Sequence, residues 1–416
     1  MTYIEFFDKD SSENICACLT YAPERVIYVG DNKDLMERYI ARYQRIFEIR
    51  GQNIAFSCRS VSRSNMEAIV TLLSELVETY DDCVFDVTGG DELMLLAMGI
   101  VYAKYPQRNL QIHRFNLRNN AIYDCDKDGN TIFREMPGLS VEENIRIYGG
   151  DILYCDVDGE DTYLWDLTEE FKQDVEDIWC ICKGNPQLWN AQIGVLSALE
   201  TVGKKSEDGL TVSASMGAVK HELSRNKADY TCAKGMIDAL VEKKLLTEFE
   251  ADNKLTVSFK NKQVKRILTK AGQALEMKIY LTAIATEDKG QPVYQDVCNG
   301  VKIDWDGAFH DEETEKIYDT ENEIDVLMMH NMVPVFVSCK NGFVDANELY
   351  KLNTVAQRFG GQYAKKILVA TSIPKNSEAA KYLRQRARDM QIRLLEDVQK
   401  MDDKTLRDKL TNLWKT

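Results

Sequence analysis

No stretch of this 416-residue chain is apolar for long enough to span a bilayer as a helix, which excludes an integral helical membrane protein. Its opening, Met-Thr-Tyr-Ile-Glu-Phe-Phe-Asp-Lys-Asp, lacks the basic segment and long apolar core of a secretory signal, so a cytoplasmic protein with no membrane role is expected. Histidine is scarce, with four residues, and the close pairs Cys16/Cys18 and Cys180/Cys182 have no histidine set to complete a zinc site. The cysteine count, 11, is odd, and Cys83 and Cys339 sit in apolar runs, which fits a reducing compartment. Internal repeats and low-complexity tracts are absent. Positive charge is in deficit: 52 Lys and Arg against 67 Asp and Glu leave a formal net charge of −15. A protein that coats DNA by bulk electrostatics is thereby excluded. A nuclease is not, because a repulsive surface around local basic rims would limit unprompted cutting. Hydrophobic content of 44% and charged content of 29% predict ordinary globular cores, and the length predicts two or three domains.

The richest chemistry lies in Glu321-Asn-Glu-Ile-Asp325, an apolar stretch, then Val335-Phe-Val-Ser-Cys-Lys340. Read as two strands, these place Glu323 and Asp325 on one face, with Ile324 and Val326 toward the core. Ser338 and Lys340 likewise share a face, and Asn331 and Pro334 mark the turn between the strands. Paired carboxylates suit a hard cation such as Mg²⁺ or Mn²⁺. A nearby ammonium can orient an attacking water or offset charge developing on phosphorus. The arrangement points to phosphodiester hydrolysis. Helical spacing follows over Glu348–Phe359, closed by Gly360-Gly361, then a buried strand over Lys366–Thr371 and a helix over Ser377–Met390 carrying Arg384, Arg386 and Arg388.

A hairpin, helix, strand and helix in that order resemble the restriction-endonuclease-like nucleases. On that resemblance Asp325 corresponds to the aspartate, and Lys340 to the lysine, of the PD-(D/E)xK motif. Glu276, in the predicted helix Gly272–Ile284, corresponds to a further glutamate. The resemblance implies Asp325, Glu276 and Glu323 as ligands for Mn²⁺ or Mg²⁺, Lys340 aligning water, and Ser338 touching water or the scissile phosphate. Ser338 stands where the general motif has Asp or Glu. Serine lacks the charge, and a ligand could come instead from Glu323, Glu276 or Glu348. Two readings stay open: a working site with a relocated acid, and a nuclease fold without activity.

At the other end, Arg25–Asp31 is an apolar run stopped by Gly-Asp, as at the carboxyl end of a parallel strand. Further strands are predicted at Ile54–Phe56, Cys83–Val87 and Leu110–Phe115, with helical spacing from Leu35 to Ile46 and over Met66–Tyr80. Strands alternating with helices imply a doubly wound α/β sheet, which binds ligands at its strands' carboxyl ends. Gly30-Asp31-Asn32 and Thr88-Gly89-Gly90-Asp91 belong at that edge. Two glycines before a helix let backbone N–H groups approach a phosphate, although Thr88 and Asp91 also make a plain capping pair. The Ser60–Asn65 loop after the second strand offers a hydroxyl at Ser62 and a guanidinium, which pairs well with phosphate, at Arg63.

Val87-Thr-Gly-Gly after such a strand, ahead of this nuclease-like segment, resembles CARF domains, the Rossmann-like sensors of cyclic oligoadenylate in type III CRISPR immunity. The chain as a whole resembles CRISPR-associated CARF nucleases. Carried over by position, Gly30, Asp31, Asn32, Ser62, Arg63, Thr88, Gly89, Gly90 and Asp91 would line the ligand cleft. The family binds its ligand across a twofold axis, implying a homodimer, and cyclic tetra-adenylate is the activator expected on family grounds.

Between the two ends, Gly184-Asn-Pro186 breaks the chain. A strand is predicted at Ile152–Cys155, after Ile145–Tyr148, and helices over Thr168–Cys182, Trp189–Leu199, Ala214–Leu223 and Ala233–Lys244. Two strands then surround Asp252-Asn253. Three helices and a two-stranded wing resemble a winged helix-turn-helix, which binds DNA in some proteins and serves as a spacer or dimer surface in others. Lys260, Lys262, Lys265 and Arg266 form a basic cluster after the wing, either a nucleic-acid guide or a solvated face.

The expected architecture is α/β: a Rossmann-like CARF domain over 1–183, a winged-helix-like domain over 184–270 and a restriction-endonuclease-like domain over 271–416. The expected function is a cyclic-oligoadenylate-activated, metal-dependent nuclease acting on single-stranded DNA or RNA, with duplex DNA as a further substrate. The alternative is a ligand-responsive winged-helix transcription regulator with an inactive nuclease fold. His113, on a predicted strand, is placed by no motif to degrade the activator.

Overall fold

A computed structural model describes residues 1–116, 121–125, 131–135, 137–153, 164–225, 230–308, 321–342, 344–374 and 377–414. Five parallel strands, β1 (Thr2–Phe6), β2 (Arg25–Gly30), β3 (Ala55–Ser60), β4 (Cys83–Asp86) and β5 (Gln111–Asn116), alternate with helices α1 (Ser11–Tyr21), α2 (Lys33–Ile49), α3 (Met66–Thr79) and α4 (Glu92–Lys104). Antiparallel β6 (Ala121–Cys125) and β7 (Thr131–Arg134) extend one edge, giving the order β3-β2-β1-β4-β5-β6-β7. The chain runs outward from β1 to β3, then from β4 in the other direction. The switch point therefore lies between β1 and β4, where open α/β sheets form their ligand crevices.

Next comes α5 (Val141–Ile147), opened by a capping box of Ser140 and Glu143. The following strand, β8 (Asp151–Leu153), joins the edge of the carboxyl-terminal sheet by pairing with Lys302–Asp304. Tyr154 and Cys155, expected to continue it, lie outside the described residues.

Helices α6 (Glu169–Gly184) and α7 (Pro186–Val202) meet at Asn185, with Pro186 at the first helical position, where its missing N–H costs nothing. A smaller antiparallel sheet follows: β9 (Lys204–Lys205), β10 (Thr211–Ser215), then, after helices α8 (Met216–Arg225) and α9 (Lys234–Glu242), β11 (Leu246–Ala251) and β12 (Lys254–Phe259). The helix expected from Ala214 starts instead at Met216. Val212 and Ala214 alternate inward as part of β10, which pairs with β12.

Helices α10 (Lys262–Thr269) and α11 (Gln273–Ile284) and a short hairpin, β13 (Glu287–Asp288) and β14 (Gln291–Pro292), precede the third sheet. That sheet is built from β15 (Asp296–Asp304), β16 (Glu321–His330) and β17 (Val333–Lys340), followed after α12 (Asn347–Gly360) by β18 (Lys365–Ala370) and after α13 (Glu378–Asp389) by β19 (Ile392–Leu395). Its order is β19-β18-β17-β16-β15-β8, and α14 (Asp403–Thr411) closes the chain. Pro334 lies inside β17, opposite Met329, rather than in the turn. The turn is Asn331-Met332 alone, with Asn331 at φ 53°. Pro334 is tolerated because β17 begins its pairing with β18 only at Val335.

Three apolar clusters hold these layers. One fills the outer face of the first sheet beneath α3 and α4. A second joins that sheet's other face, through its Tyr28 and through Tyr43 of α2, to Phe336 of the third sheet and Phe359 of α12. A third joins α6–α11 to the opposite face of the third sheet. The molecule is a multidomain α/β protein whose carboxyl-terminal sheet is covered on both faces.

Candidate active site

Asp325 sits where the alternation of β16 fails. Ile324 packs with Val301 and Ile303, whereas Val326 packs with Met328 and Val335 in the other cluster, so the two do not share the core face expected of them. Between the cross-strand pairs Asn299↔Val326 and Val301↔Ile324, Gly300 of β15 stands opposite Asp325 at φ 65°. A left-handed residue inside a strand re-aims its neighbours. The paired part of β16 and β17 also ends at Val326↔Val337, and beyond it the Asp325 side chain takes over the bonding. Its Oδ2 accepts the Cys339 backbone N–H at 2.6 Å and the Ser338 hydroxyl at 3.3 Å.

The backbone of Asp325 is fixed from the other side. Asn299 Nδ2 donates to its carbonyl at 2.8 Å, while Asn299 Oδ1 accepts from Gln273 of α11 at 2.7 Å and from Trp165 at 3.2 Å. Lys340 Nζ lies 3.9 Å from Asp325 Oδ2 and 3.0 Å from Glu348 Oε2. Glu348 therefore orients the lysine and shares its other oxygen with Lys351, also at 3.0 Å. Glu323 is exposed and pairs with Lys270. A cavity of about 390 Å³ opens between the ends of β16 and β17 and the first turns of α12, lined by Asp325, Ser338, Lys340, Glu348, Tyr350 and Lys351 among others.

Electrostatics single out Glu276. It is 6% exposed, and its Oε2 is buried without a hydrogen-bond partner. Burial first, and then the charge of Asp325, push its carboxyl well above the usual carboxylate range. Burial likewise raises Asp325, against the opposing pull of Lys340 and the Cys339 amide. Burial works against the Lys340 charge, but Asp325 and Glu348 outweigh it and hold its pKa above the ordinary lysine value. Two raised carboxyls near one ammonium, one of them with an orphaned oxygen, form a site with negative potential to spare. Among the described residues, no three His, Cys, Asp or Glu side chains converge as a metal-ligating group. Asp325 and Glu276 still fit a cation that keeps much of its own water, as Mg²⁺ does with one or two carboxylates.

At the first sheet's switch point the predicted residues gather along one edge, with many side chains already engaged. Asn32 caps α2 through Leu35 N–H at 3.0 Å, and Asp91 caps α4 through Met94 N–H at 3.1 Å. Thr88 donates its hydroxyl to Asp86 and accepts the Phe115 N–H at 2.9 Å, tying the loop to β4 and β5. Arg63 lies 3.4 Å from Asp31 and donates to the Phe7 carbonyl at 3.3 Å, bridging the loops after β1, β2 and β3. Ser62 faces Ser64 at 3.2 Å. Gly90, at φ 98°, packs so closely on Phe6 that a Cβ would come within 3.1 Å of it. The loop after β1 belongs to this edge, with Asp8 against Gly89. Sequence reasoning missed it because β1 shows no alternation; the signal available was Asp10 followed by Ser11-Ser12, a helix cap.

The basic cluster after β12 is partly neutralised. Lys260 pairs with Asp174 at 2.7 Å and with Glu170, Lys265 pairs with Glu200 at 3.0 Å, and Arg266 stacks over Trp165 at 4.2 Å. His113 is a buried strand histidine bonded to the Tyr3 hydroxyl.

A helix glutamate thus stands beside a hairpin aspartate and lysine, at the splayed end of the mixed carboxyl-terminal sheet. Residues 261–415 match the family model described as Card1-like, endonuclease domain. Over its whole length the chain resembles the crystal structure of protein VC1899 from Vibrio cholerae, at TM-score 0.71 and 18% identity, covering 100% of this chain and 98% of that one. It also resembles Can2 from Sulfobacillus thermosulfidooxidans, solved in complex with cyclic tetra-adenylate, at TM-score 0.64 and 16% identity, covering 100% and 97%. At these identities the likeness is one of fold. No curated protein matches the chain significantly.

Proposed function

We propose that the chain is a nuclease activated by cyclic oligoadenylate, cyclic tetra-adenylate in the first instance, and acting in type III CRISPR defence. The observation that carries the reading is the junction of Asp325, Ser338 and Lys340 with the unsatisfied Glu276, inside the segment that matches the Card1-like endonuclease domain. Asp325 and Glu276 would hold Mn²⁺ or Mg²⁺, with exposed Glu323 at the rim. The ion would supply charge neutralisation at phosphorus and a more acidic water. Lys340, oriented by Glu348, would align that water and offset charge on the phosphoryl oxygens. Ser338 would hold water or a non-bridging oxygen.

The units are a CARF-like sensor over 1–183, a winged-helix-like connector over 184–270 and a nuclease over 271–416. The fold shared with the cyclic tetra-adenylate complex supports the sensor assignment. In it Gly89 and Gly90 offer backbone N–H groups at the start of α4, and Arg63 and Asp31 flank them across the switch point. Two chains would close on one ring of the ligand as a homodimer. Substrates are single-stranded DNA or RNA, with duplex DNA as a further one. The mixed charge of α9 gives no support to the regulator alternative, and two of the four cations after β12 are paired with carboxylates.

A cleavage panel of plasmid, single-stranded DNA and RNA with Mn²⁺, run with each cyclic adenylate and with none, tests the reading. Ligand-dependent cutting that disappears in Asp325→Ala and Lys340→Ala is expected. Sequence-selective DNA binding in EDTA without cleavage would favour the regulator.

A further inference from the structure

Two large aromatic side chains stand in solvent at the mouth of the catalytic cavity. Tyr350, in the first turn of α12, lines the cavity and is 43% exposed, and Tyr382, on α13, is 50% exposed. Their phenol groups meet across the gap between the two helices. One turn further along α13, Arg386 Nε donates to the Tyr382 hydroxyl at 3.0 Å, and its guanidinium carbon lies 5.3 Å from the ring centre. Among the described residues no carboxylate pairs with Arg386: the nearby Asp389 accepts from Gln385 at 2.8 Å. Its neighbour Arg384 differs, being forked onto Glu396 at 2.8 and 2.7 Å. On the cavity side Lys351 is well exposed and reaches Lys340 through their shared partner Glu348. Outward from Lys340 and Lys351, a pair of aromatic rings is thus followed by a further cation.

This pattern fits an unpaired nucleic-acid strand. Every base has a π-face that can stack on tyrosine, and an arginine beside the ring meets the phosphate. In a duplex those faces are already stacked on neighbouring bases, so the rings reward only a strand whose bases are splayed out. A chain with net charge −15 also needs such a local positive rim to receive a polyanion.

We propose that Tyr350, Tyr382 and Arg386 form a stacking platform that selects unpaired bases as the strand passes Lys351 into the cavity. The inference rests on the nuclease reading above and adds the residues that set its substrate preference.

The test uses the full-length protein with cyclic tetra-adenylate and Mn²⁺. Two probes are compared: a short oligo-dT strand, and the same backbone carrying abasic positions. The readout is the ratio of kcat/KM for the first probe to that for the second. Wild type should prefer the strand with bases. Tyr350→Ala with Tyr382→Ala should lower the ratio by at least roughly tenfold, mostly through KM, since base–aromatic stacking is lost. The corresponding Phe variants should keep it, and Arg386→Ala should flatten the salt dependence of KM. A ratio unchanged in the alanine double variant, with wild type cutting normally, overturns the platform alone. Wild type that cuts neither strand with any cyclic adenylate overturns the nuclease reading and the platform together.

Discussion

The Asp325 carboxylate is half-hidden and held by a backbone amide from the neighbouring strand, so its position does not depend on a flexible partner. Replacing it by alanine should abolish cleavage, a loss of at least about 100-fold, as expected when a preorganised electrostatic group is removed. Lys340→Ala should do the same, whereas Glu348→Gln, which only loosens the lysine, should cost less. A divalent cation held by Asp325 and Glu276 would relieve the repulsion between them, which gives a readout independent of cleavage. Mn²⁺ at about a hundredfold excess over its Kd should stabilise the wild type by roughly 3 kcal/mol, seen as a raised Tm. Glu276→Gln should blunt that rise. A wild-type Tm indifferent to millimolar Mn²⁺ would argue that these carboxyls do not hold an ion.

Among the elements, β4 carries the clearest pH signature. Burial pushes Asp86 from an ordinary 3.8 up to about 7, even though Thr88 donates to it. Its direct partner on β1, Glu5, is pushed up too, by burial and then by Asp86. A folded pKa above the unfolded one means that the fold holds the proton more tightly. The stability gained is complete below about 4 and lost as pH rises through about 7. Asp86→Asn, which cannot ionise, should therefore gain on the wild type across that window, by about 1.4 kcal/mol per pH unit in denaturant titrations. A constant difference would contradict this.

Periodicity made most of these elements legible. The α12, α13 and β18 spans, the β16–β17 hairpin and the β11–β12 wing all stand within a few residues of their expected limits. Local pattern failed where tertiary context decides. Residues Thr2–Phe6 of β1 are buried on both faces and show no alternation. Gly300 inverts the register of side chains beside Asp325, which no single-strand pattern can reveal. Glu348 was visible only as a spare ligand, and its service to Lys340 and Lys351 depends on how α12 packs.

On the scale of the whole molecule, the first and third sheets share one core and one polar junction. Asp10, capping α1 at the first sheet's edge, accepts from the Tyr148 hydroxyl at 2.5 Å and from the Gln362 N–H at 3.1 Å, while Glu13 accepts from Tyr363. Gln362 and Tyr363 follow α12, the helix whose first turn carries Glu348. A shift of the loop that bears Asp8 and Asp10 therefore has a rigid element to act on, and one that reaches Lys340 through Glu348. Asp10→Ala should lower Tm, by a few kcal/mol in stability, because its carboxylate accepts from the Ser12 N–H and hydroxyl as well as from Tyr148 and Gln362. It should also shrink the ratio of ligand-stimulated to unstimulated cleavage, and a variant with normal stimulation would remove the junction from the activation route. The most direct test remains single-turnover cleavage of a labelled DNA strand by the full chain. With Mn²⁺ and cyclic tetra-adenylate it should cut, and Asp325→Ala should leave the strand intact. Equal cutting without any cyclic adenylate, or undiminished cutting by Asp325→Ala, would contradict a ligand-gated site built on that aspartate.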